Sequence, residues 1–275
     1  GVMVKYDELN PHFTIKNRVP LIGEMMVAKW GYEALVVAQF KDNEYEKIFY
    51  PNDKVISISD FKNVYYIPKL LSKLDHIMVN LGSADPETVK TLEGDMVVLR
   101  HEILEELKKV GRDKFPLADQ LSLQNFDSAA YAGTKDFISK LKKFYLNRQQ
   151  AATNLKEQRI RELTNTPDKR KEYELLKKNY TNDQVSSIAL NNKVTHRIIE
   201  ENGELVQKIY PVYMDPDPHH FLDFTSQMYQ PVKYFAGFYI DTLLFNSIAI
   251  WLMSFFLIIA LYFEWLKKIV TKNLY

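Results

Sequence analysis

The stretch Thr242–Phe263, TLLFNSIAIWLMSFFLIIALYF, decides how the rest of the chain is read. It carries no charge, no proline and no glycine. As a helix it extends roughly 33 Å, about the hydrocarbon thickness of a bilayer. A charge-free run of this length reads as a transmembrane helix rather than as a buried helix of a soluble core. Asn246, Ser247 and Ser254 are its polar exceptions, and uncharged polar groups at such positions hydrogen-bond to neighbouring helices. Tyr234, Phe235, Phe238 and Tyr239 precede the run, and Tyr262 and Trp265 close it, so an aromatic belt is expected at each end. Lys267, Lys268 and Lys272 follow, whereas the preceding flank has Lys233 alone. That lysine excess predicts a cytoplasmic C-terminus, with Lys267 and Lys268 at the membrane interface and the bulk of the chain periplasmic or extracellular.

Such a placement needs a topogenic element ahead of the exported part. The chain opens GVMVKYDEL, without a basic region followed by an apolar one. We therefore expect it to be the end of a longer polytopic protein whose upstream spans deliver this loop outside. The 36 basic and 35 acidic residues nearly cancel, which excludes a strong field for nucleic acid or acidic ligands. The absence of cysteine excludes disulfides, thiolate metal sites and a catalytic thiol, but does not fix the compartment.

Working towards the N-terminus, VTHRIIEENGELVQKIYPVY has two Val/Ile-rich runs, 194–201 and 204–210, around Asn202-Gly203. This is the favoured two-residue turn of a β-hairpin, which we place on the membrane-proximal side. Before it lie four helical blocks: IPKLLSKLDHIMVNLG ending at Gly82; a helix with Asp85 as N-cap, Pro86 behind it and Gly111 at its end; an amphipathic run from Thr134 to about Leu163; and a restart at Thr166-Pro167. Their dense Lys, Glu and Arg predict a solvated helical subdomain. KDNEYEKIFYPNDKVISISDF reads as a turn-rich connection with one short strand around Val55 to Ile58. Ahead of it, Met25, Met26, Trp30, Ala34, Val37 and Ala38 recur at helical spacing and predict a helix from about Gly23 to Phe40.

The fold class expected is thus a mainly α membrane protein: a helical extracytoplasmic domain with a small β-hairpin and one C-terminal transmembrane helix. The partition is a membrane-proximal outer segment 1–60, a helical subdomain 61–190, a hairpin and aromatic approach 191–240, the span 241–265 and a cytoplasmic tail 266–275.

Catalytic motifs are missing. SAAYAGTKD has Gly133, Thr134 and Lys135 in the wrong order for a P-loop, and neither G-x-S-x-G nor H-E-x-x-H occurs. In DPDPHHFLD the residues Asp215, Asp217, His219, His220 and Asp223 are metal-ligand types, but adjacent histidines on extended backbone point apart. That segment reads as a polar loop near the headgroups, and His76, His101 and His196 read as structural. We expect no enzyme activity, no metal and no cofactor in this chain.

Lys29-Trp30-Gly31-Tyr32-Glu33-Ala34-Leu35, followed by Gln39-Phe40, resembles the signature helix of ABCG-type ATP-binding-cassette exporters, which lies in the outer loop between their last two spans. QFKDNEYEKIFY, Gln39 to Tyr50, is similar to the continuation in bacterial members, and KYFAGFYIDTLLFNSIAIWLM to the entry of their last span. The resemblance covers 17–50 and 190–270 best. Lys29 departs from the common Arg, losing its planar fork, and Ala38 stands where eukaryotic members have Asn.

The resemblance implies a permease segment whose signature helix acts as outer gate or lid. ATP and Mg would be bound by a separate nucleotide-binding domain. Partners would be membrane lipid, the remaining permease helices, that domain and a second transporter half. On this reading Trp30, Tyr32 and Phe40 belong either at the lipid interface or in the core, and Glu33 needs a partner, for which Lys29 one turn earlier is placed. The alternative is a single-pass, membrane-anchored extracytoplasmic interaction or scaffold module.

Overall fold

The computed structural model describes residues 18–265. In chain order these form α1 (Leu21–Glu24), α2 (Val27–Lys41), α3 (Glu46–Phe61), a π-helical turn (Lys62–Tyr66), α4 (Ile67–Asn80), α5 (Pro86–Val110), α6 (Ser128–Leu163), α7 (Pro167–Tyr180), α8 (Asp183–Ala189), the antiparallel pair β1 (Ile198–Glu201) and β2 (Glu204–Gln207), the antiparallel pair β3 (Val232–Phe235) and β4 (Phe238–Asp241), and α9 (Thr242–Tyr262). Short 3-10 turns punctuate the connections. The described residues are mainly helical, and among them are two small two-stranded sheets and one C-terminal helix long and apolar enough to cross a membrane.

It divides into two compact units. The first gathers the segments up to Lys47, Tyr180–Leu190 and from Met214 onward; the second gathers Ile48–Asn179 and Asn191–Tyr213.

The second unit has a conventional core. Ile67, Leu70, Leu74 and Ile77 on α4, Leu92, Met96, Leu99, Ile103 and Leu107 on α5, and Phe137, Ile138, Leu141 and Tyr145 on α6 pack together. Steps of three and four align the α4 and α5 sets as one stripe each, Ile138 widens the stripe of α6, and every fully buried Leu or Ile contributes about 1.5–3 kcal/mol. The caps are local chemistry. Asp85 accepts from Thr88 N at 2.9 Å at the start of α5, and Gly111 closes it at φ 103, where a side chain would be strained.

Among these stripes run buried polar links. On α5, Glu106 accepts from Lys62 Nζ at 2.7 Å and Tyr145 OH at 2.6 Å. One turn earlier, Glu102 accepts from Tyr66 OH at 2.8 Å and Leu205 N at 2.6 Å, which fastens β2 to α5.

Three expectations are corrected. The strand around Val55 to Ile58 and its turn-rich surroundings are the helix α3. Asn43 starts it by accepting from Tyr45 N and Glu46 N, and Pro51 sits early enough to cost one ladder bond. β-branched propensity here gives way to burial of Phe49, Ser59 and Phe61. The helix from Gly23 to Phe40 is broken, with Met26 extended at φ −88, ψ 109. The Glu24 carbonyl accepts Trp30 Nε1 at 2.7 Å, a side-chain donor in place of the next helical amide. The helix from Thr134 begins earlier, at Ser128, because Asp127 caps it through Ala130 N at 2.7 Å.

The hairpin expected around Asn202-Gly203 forms, turning on Asn202 (φ 52) and Gly203 (φ 82), within the second unit. A different hairpin leads into the apolar helix: β3–β4, turning on Ala236 (φ 51) and Gly237 (φ 89).

Candidate functional site

Within the first unit, α2 and α9 pack side by side, and three contacts fix their register. Lys41, at the end of α2, pairs with Asp241, the N-cap of α9. Glu33 meets Asn246. A Cβ on Gly31 would lie 3.9 Å from Ile250 Cδ1. Decreasing numbers on α2 thus meet increasing numbers on α9, and the helices are antiparallel.

Glu33 is fully buried between them, at the centre of a cluster of four charges. Its carboxylate accepts from Lys233 Nζ at 2.7 Å, from Tyr229 N at 3.1 Å and from Asn246 Nδ2 at 3.1 Å, with Lys29 Nζ 3.2 Å away. Lys29 also donates to Glu24 at 2.8 Å, and Lys233 to Ser226 Oγ at 2.7 Å. Asn246 spends its second amide proton on Trp30 O at 3.0 Å, so it joins α9 to both side chain and backbone of α2. Two carboxylates and two ammoniums make the cluster neutral as a set.

Burial alone would raise the Glu33 carboxyl, but Lys233 and Lys29 outweigh it and hold it at about 2. Burial also sets Glu24, whose carboxyl is raised because Lys29 compensates only in part. Lys233 is pulled below the usual lysine value by burial, against the upward pull of Glu33. We take Glu33 and Lys233 as an ionised pair, since they sit at hydrogen-bond distance and the four charges of the cluster balance.

The signature residues divide by face. Lys29, Trp30, Glu33 and Phe40 are buried within the chain, and Tyr32 is half-buried edge-on to Tyr229 at 6.3 Å between ring centres. Trp30 packs between Phe224 (6.3 Å) and Phe245 (5.9 Å), so it and Phe40 are core rather than interface rings. Leu35 and Gln39 point outward, Leu35 being 68% exposed. Of the belt residues, Tyr234 is half-buried against Tyr239, and Phe235, Phe238 and Tyr239 are exposed on the second hairpin. Tyr262 and Trp265 are exposed at the far end of α9. Lys267 and Lys268 lie outside the described residues.

Glu24, Lys233 and Ser226 are site residues that sequence reasoning did not single out. Lys233 carried a signal: a lone cation inside an apolar strand, followed by the hairpin turn Ala236-Gly237. Asn246 was the polar exception that does bridge helices, whereas Ser247 and Ser254 bond back to Leu243 O and Ile250 O on their own helix.

Asp223, once a metal-ligand type in a polar loop, is buried as an ion-pair acceptor for Arg18 at 2.8 Å and Thr225 Oγ1 at 2.6 Å. Among the described residues no three His, Asp or Glu side chains come together as a metal site. Comparison with protein-family models, with curated proteins and with solved structures finds no match.

Proposed function

We propose that this chain is the outer loop and last span of the permease of an ATP-driven exporter of the ABCG type, with α2 contributing to the outer gate or lid of the transport path. The observation that carries the reading is the joining of the signature helix to the apolar helix through Glu33, Lys233 and Asn246. A lid must move with the span it covers, and a buried ionic and amide link couples them more firmly than apolar packing, which can slide.

In this reading α9 crosses the inner or plasma membrane, the bulk of the chain is periplasmic or extracellular, and the C-terminus is cytoplasmic. ATP and Mg are bound by a separate nucleotide-binding domain, and two transporter halves pair. The test is purification of the intact gene product from membranes in mild detergent. The expected result is Mg-dependent ATP hydrolysis that copurifies with it and is lowered by Glu33→Gln. A gene product that neither contains nor stably binds a nucleotide-binding domain contradicts the proposal.

A membrane-anchored scaffold is the second reading. The observation favouring it is the closed core of the second unit, which gives helices α4 to α6 a self-sufficient body for protein contacts.

A further inference from the structure

Two polar residues stand at core positions of the second unit. From Glu46 to Asn80 the chain is one unbroken helical run: α3, the π-helical turn and α4. Ser59, Asn63, Tyr66, Leu70, Leu74 and Ile77 follow one another along it in steps of three and four, and all six are buried. Tyr66 turns its hydroxyl to Glu102, and the last three are aliphatic. Ser59 Oγ and both ends of the Asn63 amide, Oδ1 and Nδ2, are shut off from solvent and have no hydrogen-bond partner among the described residues.

Side chains of these types have a local alternative, and elsewhere in this chain they take it. Thr134, Ser139 and Thr153 on α6 and Ser247 and Ser254 on α9 each donate to the carbonyl four residues earlier. Asn80 Nδ2 does the same to His76 O at 3.0 Å. Ser59 and Asn63 do not. The helix beside them is also widened. Pro68 lacks an amide hydrogen, and its ring crowds the carbonyl of Val64 four residues earlier. The ladder here steps back five residues instead of four, with Ile67 N donating to Lys62 O. A buried polar atom left unpaired costs more than an ordinary hydrogen bond gains, so three together point to a ligand.

The atoms fix its chemistry. Asn63 Nδ2 donates, Asn63 Oδ1 accepts and the Ser59 hydroxyl does either. A bare cation cannot accept from Nδ2 and an anion cannot donate to Oδ1, so a neutral ligand fits the set. The charged groups at the turn are already matched: Lys62 to Glu106 at 2.7 Å, and Glu102 to Tyr66 OH at 2.8 Å and Leu205 N at 2.6 Å. The ligand is small, because residues four apart on a helix hold their Cβ atoms roughly 6 Å apart.

We propose that Ser59 and Asn63 form a buried hydration site, in which an internal water bridges the Ser59 hydroxyl to the Asn63 amide beside the π turn. The water supplies the hydrogen bonds that the two side chains do not make to the protein. The site lies within the second unit and does not depend on the exporter reading.

The direct test is a structure of the intact protein in detergent at a resolution that shows waters. Expected is an ordered water within about 3.2 Å of both Ser59 Oγ and the Asn63 amide. A direct bond between the two side chains, or another protein group in that place, overturns the site. Thermal unfolding of the same preparation is the second readout. Ser59→Ala is compared with Ser72→Ala, an exposed position on α4 where the change brings the same gain in helix propensity. Relative to that control, Tm should fall by about 2–4 °C, because the water loses a partner. Asn63→Leu should lower it too, and the double change should cost less than the two singles added. A Ser59→Ala variant that equals or exceeds its control overturns the site, since removing a dry, unpaired hydroxyl is favourable. Additive losses overturn the bridge. A Tm that depends on sodium against potassium at fixed ionic strength, and loses that dependence in Asn63→Leu, puts an ion there and overturns the water.

Discussion

At the scale of single residues, Glu33 and Lys233 make the sharpest claims. Removing one partner of a buried, hydrogen-bonded ion pair strands the other, so Lys233→Met should destabilise the detergent-solubilised protein by about 3 kcal/mol or more. Adding Glu33→Gln to that variant should recover part of the loss, because the stranded carboxylate is gone. Thermal unfolding of the two single variants and the double measures the coupling. The pH dependence follows from Glu33, whose carboxyl falls from an ordinary 4.5 to about 2 on folding. Its stabilisation, about 3 kcal/mol, is fully present above the unfolded value and is lost as pH falls through the folded one. Melting temperature should therefore decline from about pH 4.5 towards 2, and Glu33→Gln should flatten that decline. Two glycines give a contrast. Gly31→Ala meets only ordinary contact with Ile250 and should be tolerated, gaining up to about 1 kcal/mol of helix propensity. Gly111→Ala, at φ 103 with Asp113 Oδ1 2.6 Å from the new Cβ, should destabilise in the same assay.

At the scale of elements, stability should be uneven. α5 carries a buried stripe and two buried carboxylates, whereas α7 buries none of its residues. Hydrogen exchange should therefore leave the amides of α4 and α5 protected longest and release those of α7 early; equal protection in α5 and α7 contradicts this. The same contrast explains what could be read in advance. α4, α5 and α7 were legible because Pro86, Pro167, Gly111 and periodic leucines are local signals. So was the first hairpin, since Asn-Gly specifies its turn. α3 was not, because Val55–Ile58 looks like a strand until tertiary burial of Phe49 and Phe61 decides otherwise. The second hairpin was hidden by aromatic residues that also suit a membrane belt, and by Ala236, an unusual residue at positive φ. Within the site, Lys29 and Glu33 could be paired from their spacing, but Lys233 comes from 200 residues away, a contact that no local pattern encodes.

At the scale of the whole molecule, the chain alternates between its two units, with residues 180–190 and everything from Met214 returning to the first. The second unit hides its apolar residues in a core of its own. The first exposes Leu252, Phe255, Phe256, Ile258 and Leu261 on α9, none of which is buried by the rest of the chain. Left in water, such a helix is an aggregation liability; in lipid it needs no further cover. The exporter reading and the gate role of α2 both depend on that difference. The most direct measurement is cysteine labelling along α9, one position at a time from Leu244 to Leu261, with a membrane-impermeant maleimide in native membranes and again after detergent denaturation. The account predicts no labelling through the middle of the helix before denaturation, with labelling returning at the two ends. A helical periodicity of labelled and unlabelled positions through the middle means one face of α9 meets water, and contradicts it.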